Sequence, residues 1–143
     1  MKVINYEFPV DKAIHISSEP EVLYAEITKL NHFDIRRFEL LSNKLLFSQL
    51  EWADILHISN RTLQRYLKDR KPFEGLYAEH LYQLENMANL GLSVFSTPEA
   101  LKLWLSKSKE VLHVQLDFST LQSFWGVKLI SNELGRSAYG VYI

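Results

Sequence analysis

Apolar positions recur at three- and four-residue spacing over most of this chain, and that period predicts helices. After Ser18, with Pro20 in the first turn and Glu19 and Glu21 beside it, Val22, Leu23, Ile27 and Leu30 make one stripe. Phe33, Ile35, Phe38, Leu41, Leu45 and Leu46 make a second, starting near Asp34. A third helix opens at Phe47 or Ser48 and turns Leu50, Ala53 and Leu56 inward. Ser59 caps a fourth, Asn60–Asp69, whose Leu63, Tyr66 and Leu67 share a buried face. Pro72 ends that run by disfavouring helix at Lys71.

A long helix is expected from about Glu74 to Leu92, with Leu76, His80, Leu81, Leu84, Met87, Ala88 and Leu92 near one face and Gly91 near its end. Thr97-Pro98-Glu99 opens the next, with a capping hydroxyl, a proline at the first helical position and an acid for the dipole. Its Leu101, Trp104 and Leu105 face inward. Between Ser106 and Asp117 the pattern weakens to Val111, Leu112, Val114 and Leu116, a loop or short extended piece. A last long helix opens at Asp117 or Ser119 and runs through Leu121, Phe124, Trp125, Val127, Leu129, Ile130 and Leu134. Gly126 inside it costs roughly 1 kcal/mol against alanine, and close approach of another backbone would explain it. Gly135 and Gly140 punctuate the end. Residues 1–18 read as an irregular arm, since Pro9 demotes any strand there to an edge. The expected fold is all-α.

The segment Trp52–Leu67 reads as two short helices joined by a tight turn. Ile55 and Ile58 close the angle between them, and small Ala53 permits close approach. That is a helix-turn-helix with Asn60–Asp69 as its recognition helix. Its outer face carries Asn60, Arg61, Thr62, Gln64, Arg65 and Lys68. Asparagine and glutamine can pair bidentately with adenine, and arginine with guanine. A charged helix face is usually just solvated, so the combination of cap, turn and bases is what points to DNA.

Charge sharpens this reading. The 143-residue chain has net charge −1, which argues against indiscriminate nucleic-acid binding. Between residues 61 and 71, however, five bases (Arg61, Arg65, Lys68, Arg70 and Lys71) stand against one acid, Asp69. A local basic footprint on an acidic body suits specific contact, and a homodimer presenting two copies would bind far better than a monomer.

Composition narrows the rest. Nearly half the residues are apolar, and there is no cysteine, hence no disulfide, thiolate metal site or cysteine nucleophile. No apolar run approaches the ~18 residues of a membrane span, and the N-terminus lacks a signal-peptide layout, so a cytoplasmic protein is expected. Catalytic chemistry does not converge. His15, His32, His57, His80 and His113 are scattered, with no metal-spaced pair, glycine-rich phosphate loop or nucleophile elbow. No catalytic residue, metal or cofactor is expected. The aromatic stretch Tyr139-Gly140-Val141-Tyr142-Ile143 either docks on its own core or meets a partner, because tyrosines combine large area with a polar tip.

Two motifs carry a family resemblance. Trp52–Lys68 resembles the Xre-like helix-turn-helix. Trp104-Leu105, followed by Gly126, Gly135-Arg136 and Tyr139-Gly140-Val141-Tyr142, resembles the toxin-binding domain of Xre/MbcA/ParS-type antitoxins. The resemblance covers roughly residues 45–143 and implies an Xre-like lobe (45–95) followed by a small helical toxin-binding lobe (96–143). Residues 1–44 would be left for an arm, helices and dimerisation. It implies an antitoxin of a type II pair that occludes a RES-domain, NAD-consuming toxin and represses its own operon at operator DNA. By matching position, Arg61, Gln64 and Arg65 would face DNA. Gly135, Arg136, Tyr139, Gly140, Val141, Tyr142 and Ile143 would belong to the toxin-facing end. This chain departs from the family at His57, where glycine is frequent in the turn, and at His113–Phe118, where a Gly-Gly…Pro-Leu stretch is replaced. Ser137-Ala138 also replaces larger apolar and acidic residues. The alternative is a stand-alone helix-turn-helix repressor whose C-terminal lobe only dimerises.

Overall fold

The computed structural model describes residues 32–111 and 113–138. The N-terminal arm, the helix expected after Ser18 and the aromatic stretch 139–143 lie outside them. The described part is all-α, with two short two-stranded ladders. Strand β1 (His32–Phe33) leads into α1 (Ile35–Leu45), α2 (Gln49–Leu56) and α3 (Asn60–Asp69). Strand β2 (Phe73–Glu74) returns antiparallel to β1, setting Phe33 opposite Phe73. Then come α4 (Leu76–Phe95), α5 (Pro98–Ser106), the hairpin β3 (Lys109–Val111) and β4 (Val114–Leu116), a 3₁₀ turn (Phe118–Gln122) and α6 (Phe124–Ala138).

Helix starts follow local capping chemistry. The Asp34 carboxylate accepts from the Arg37 N–H at 2.8 Å. Ser48 and Glu51 form a reciprocal capping box, each side chain accepting from the other's backbone N–H. Thr97 caps α5 with Pro98 in its first turn, as the sequence pattern predicts. Four non-glycine residues at helix ends (Leu46, His57, Arg70 and Ser96) take the left-handed conformation that closes the last turn.

One apolar core runs from Phe33 to Leu134. Helix α4 packs against α1, α5 and α6. Trp52 sits between Phe38 and Phe47, with ring centroids 4.8 and 5.0 Å away, and its indole N–H donates to the Ser42 hydroxyl. Phe73 packs between Phe38 and the stacked ring of Tyr66, so the β1–β2 ladder brings the floor of the core under α3. Arg37 clasps Glu85 through two hydrogen bonds of 2.9 and 2.7 Å, tying α1 to α4. That contact raises the Arg37 pKa, against the opposing effect of burial.

Several expectations need correction. Leu50 points outward at 64% exposure, because Trp52, Ala53, Ile55 and Leu56 already define the buried side of α2 and Leu50 lies opposite. Leu76 is the first residue of α4, at the edge of its buried stripe, and stays exposed. Glu74 is in strand, so α4 starts two residues later than expected and ends three later, at Phe95. Gly91 therefore lies inside the helix, where a Cβ would press on the Leu101 side chain. The weak stretch after Ser106 is extended, one of the two forms expected of it, and pairs as a β-hairpin turning at His113, itself left-handed. The last helix does not run from Asp117 or Ser119: the 3₁₀ turn stops at an extended Ser123, whose hydroxyl accepts from the Gly126 N–H, and α6 starts anew. It then passes through Gly135 instead of ending there.

Candidate functional site

The turn between α2 and α3 is built from three local devices. The Ser59 hydroxyl accepts from the Thr62 backbone N–H at 3.0 Å, capping α3 as its sequence position predicts. His57 takes φ +60°, a conformation in which its Cβ is accommodated although glycine is the usual choice. The Ala53 carbonyl accepts from Ile58 N–H at 3.1 Å, closing the turn from the α2 side. Leu63, fully buried, fastens α3 to the core, while Tyr66 and Leu67 are half-buried against it.

With that side fixed, α3 turns Arg61, Gln64, Arg65 and Lys68 to solvent, with Asn60 and Thr62 half-buried beside them. Of the five bases, Arg70 is drawn back to Glu39 at 3.1 Å and Lys71 lies over the Tyr66 ring, 5.0 Å from its centroid. Arg61, Arg65 and Lys68 have no ion-pair partner among the described residues. Their charge is available to an external anion. Gln49, at the first position of α2, donates to the Asn60 carbonyl oxygen at 3.0 Å, which leaves the Asn60 amide N–H₂ as its free end. Sequence reading missed Gln49. The available signal was a pair of amides at the first positions of consecutive helices.

The turn is also joined to the C-terminal part. His57 Nε2 lies 2.7 Å from the Gln122 carbonyl, and His80 Nε2 lies 2.8 Å from the Leu121 carbonyl. A carbonyl only accepts, so both rings carry the proton on Nε2. His80 is buried, and burial pushes its pKa below the usual 6.5, against the opposing hydrogen bond to Leu121. On the far side of the 3₁₀ turn, a Cβ at Gly126 would overlap the Thr120 carbonyl, the close backbone approach its place in the sequence suggested.

Of the residues expected at the toxin-facing end, only Gly135 and Arg136 lie among those described; Tyr139, Gly140, Val141, Tyr142 and Ile143 do not. Gly135 and Arg136 are adjacent near the end of α6, far along the chain from the α3 set. Arg136 donates to Glu133 at 2.7 Å. Glu133 is 1% exposed, and its other oxygen has no partner among the described residues. Lys109 stands nearby: burial lowers its pKa while the attraction of Glu133 opposes that, and its ammonium donates to the Trp104 and Lys107 carbonyls. Trp125 is 66% exposed, although its place in the apolar pattern suggested packing.

Among the described residues no three histidines or carboxylates are grouped to hold a metal ion, and no helix is long and apolar enough to cross a membrane. No protein-family model matches the chain, and no curated protein matches it.

Proposed function

We propose that the protein is a DNA-binding antitoxin: α3 binds operator DNA, and the end of α6 with the residues after it binds and occludes a RES-domain toxin. The observation that carries the DNA half is the outward set Arg61, Gln64, Arg65 and Lys68 on a helix whose start is capped and whose other side is buried. Phosphate contacts by unpaired cations supply affinity, and amide and guanidinium groups read base edges. The toxin half is supported by the resemblance of Gly126, Gly135-Arg136 and Tyr139–Tyr142 to the toxin-binding domain of Xre/MbcA/ParS-type antitoxins. Inhibition by occlusion needs no cofactor from this chain. The footprint of one chain is small, so the functional DNA-binding form is a homodimer.

The test is operator binding to the DNA upstream of the gene. The double variant Arg61→Ala/Arg65→Ala should lose about 2–6 kcal/mol of specific affinity, at roughly 1–3 kcal/mol per base contact. It should still bind the co-expressed RES-domain protein. Unchanged DNA affinity would remove α3 from the reading.

A further inference from the structure

Helix α3 has one fully buried side chain, Leu63, while Tyr66 is half-buried and stacked on Phe73 at 4.9 Å between centroids. A helix held at so few points takes its angle from its start as well, and α3 starts from the turn His57-Ile58-Ser59. Ile58 N–H and the Ser59 hydroxyl bond within the helix pair, to the Ala53 carbonyl and to Thr62. His57 reaches out of it. Its Nε2–H donates at 2.7 Å to the carbonyl of Gln122, the last residue of the 3₁₀ turn. The first residue of that turn, Phe118, stands edge-on to Phe47, just ahead of α2, with centroids 5.0 Å apart. Near the start of α2, the Lys102 ammonium on α5 donates to Glu51 and to the Leu46 carbonyl, each at 3.0 Å. Helix α2 is therefore fastened at both ends to residues 102–122. His57 does this from φ +60°, a conformation that glycine adopts freely and a side chain adopts at a steric cost. Glycine would close the turn as well, but it has no donor for Gln122.

We propose that His57 is a positioning residue for the DNA contact: its bond to Gln122 sets the angle at which α3 leaves the turn, so the 3₁₀ turn aims Arg61, Gln64, Arg65 and Lys68. The proposal rests on the DNA half of the reading above and ties that contact to the C-terminal region. The bond is exposed, so water replaces it when it is lost and stability changes little. Binding changes more. Base edges are read only by side chains held in register, and ordering a loosened helix on DNA subtracts from affinity. Phosphate attraction is independent of sequence and tolerates the misalignment. The link also runs the other way along the chain. A Cβ at Gly126 would overlap the Thr120 carbonyl, so Gly126→Ala has to shift the 3₁₀ turn or α6, and a shifted turn reaches α3 through His57.

The experiment uses the full chain and two probes, the duplex upstream of the gene and a random duplex of equal length, with the melting temperature read on the free chain. His57→Gly is expected to keep or raise the melting temperature, because glycine relieves the backbone at φ +60°. It is expected to weaken the upstream duplex about fivefold or more and to leave the random duplex within about twofold. Gly126→Ala, measured where every chain is folded, is expected to weaken the upstream duplex several-fold when His57 is present and less than about twofold in the His57→Gly chain. Wild-type affinity for the upstream duplex in His57→Gly overturns the proposal. An equal loss on both duplexes overturns it too, as do effects of His57→Gly and Gly126→Ala that simply add. If any of these occurs while Arg61→Ala/Arg65→Ala still weakens the upstream duplex, the DNA reading stands and only the positioning role falls. If that double variant binds like the wild type, or the wild type does not prefer the upstream duplex, the reading falls and the proposal with it.

Discussion

Helix α3 is set mainly by residues next to it in sequence, and α6 by residues far from it. For α3, the cap is Ser59, the turn is His57-Ile58, and the exposed bases follow from the helical period alone. Leu63 is its single fully buried anchor. For α6, the start is fixed by a 3₁₀ turn whose Leu121 and Gln122 carbonyls are held by His80 and His57, 41 and 65 positions away. Gly126 then lets α6 approach that turn's backbone. A locally specified helix can change its outer residues freely, as the proposed DNA contact would require. A helix specified by distant contacts keeps its position only if several elements stay assembled.

The sharpest way to break this contrast is to remove the one fully buried side chain of α3. Leu63→Ala should cost about 3 kcal/mol of global stability in urea denaturation, as for other fully buried leucines. A change below ~1 kcal/mol would mean α3 is held by more than Leu63. Gly126→Ala should cost about 2 kcal/mol, because the obstructing atoms are backbone and cannot swing aside. Hydrogen exchange should then quicken first in residues 118–130, and uniform loss across the fold would refute the local origin. Ser59→Ala should cost about 1 kcal/mol, the value of one N-cap, with exchange quickened at the start of α3.

The smallest effect is one of pH. His80 is held neutral by burial, so its pKa in the fold lies below that of the unfolded chain. The stability it supports is complete above the ordinary imidazole pKa of 6.5 and is lost as pH falls below it. One proton limits the slope to about 1.4 kcal/mol per pH unit. His80→Gln, which keeps an N–H donor for the Leu121 carbonyl, should have a flatter stability profile below pH 6.5. Parallel profiles for the two proteins would contradict the assignment.

The same division explains what could be read from the sequence. Caps are local, so Asp34, Ser59 and Thr97 were legible as helix starts, Ser48 as one of two candidates beside Phe47, and the α3 boundaries with them. Gly126 was legible as a close approach because glycine has one main packing reason inside a helix. Leu50, Leu76 and Trp125 were not legible as exposed, because periodicity counts apolar residues without saying which neighbours remain to cover them. The break at Ser123 was missed because an apolar period continues across it while the backbone does not. Gln49, Gln83 and the inward turn of Glu133 depend on which helices meet, which a single chain of letters does not state. The exposure of Arg61, Gln64, Arg65 and Lys68 was therefore legible from pattern, while the set proposed to face a toxin came from resemblance, with two of its members among the described residues.

The most direct measurement is hydrogen–deuterium exchange of the full chain alone, with upstream promoter DNA, and with the RES-domain protein from the adjoining frame. Two separate faces predict protection of residues 59–68 by DNA and of 135–143 by the partner, each without the other. Protection of the same segment by both, or partner protection confined to 59–68, would contradict the assignment of α3 to DNA and α6 to the toxin.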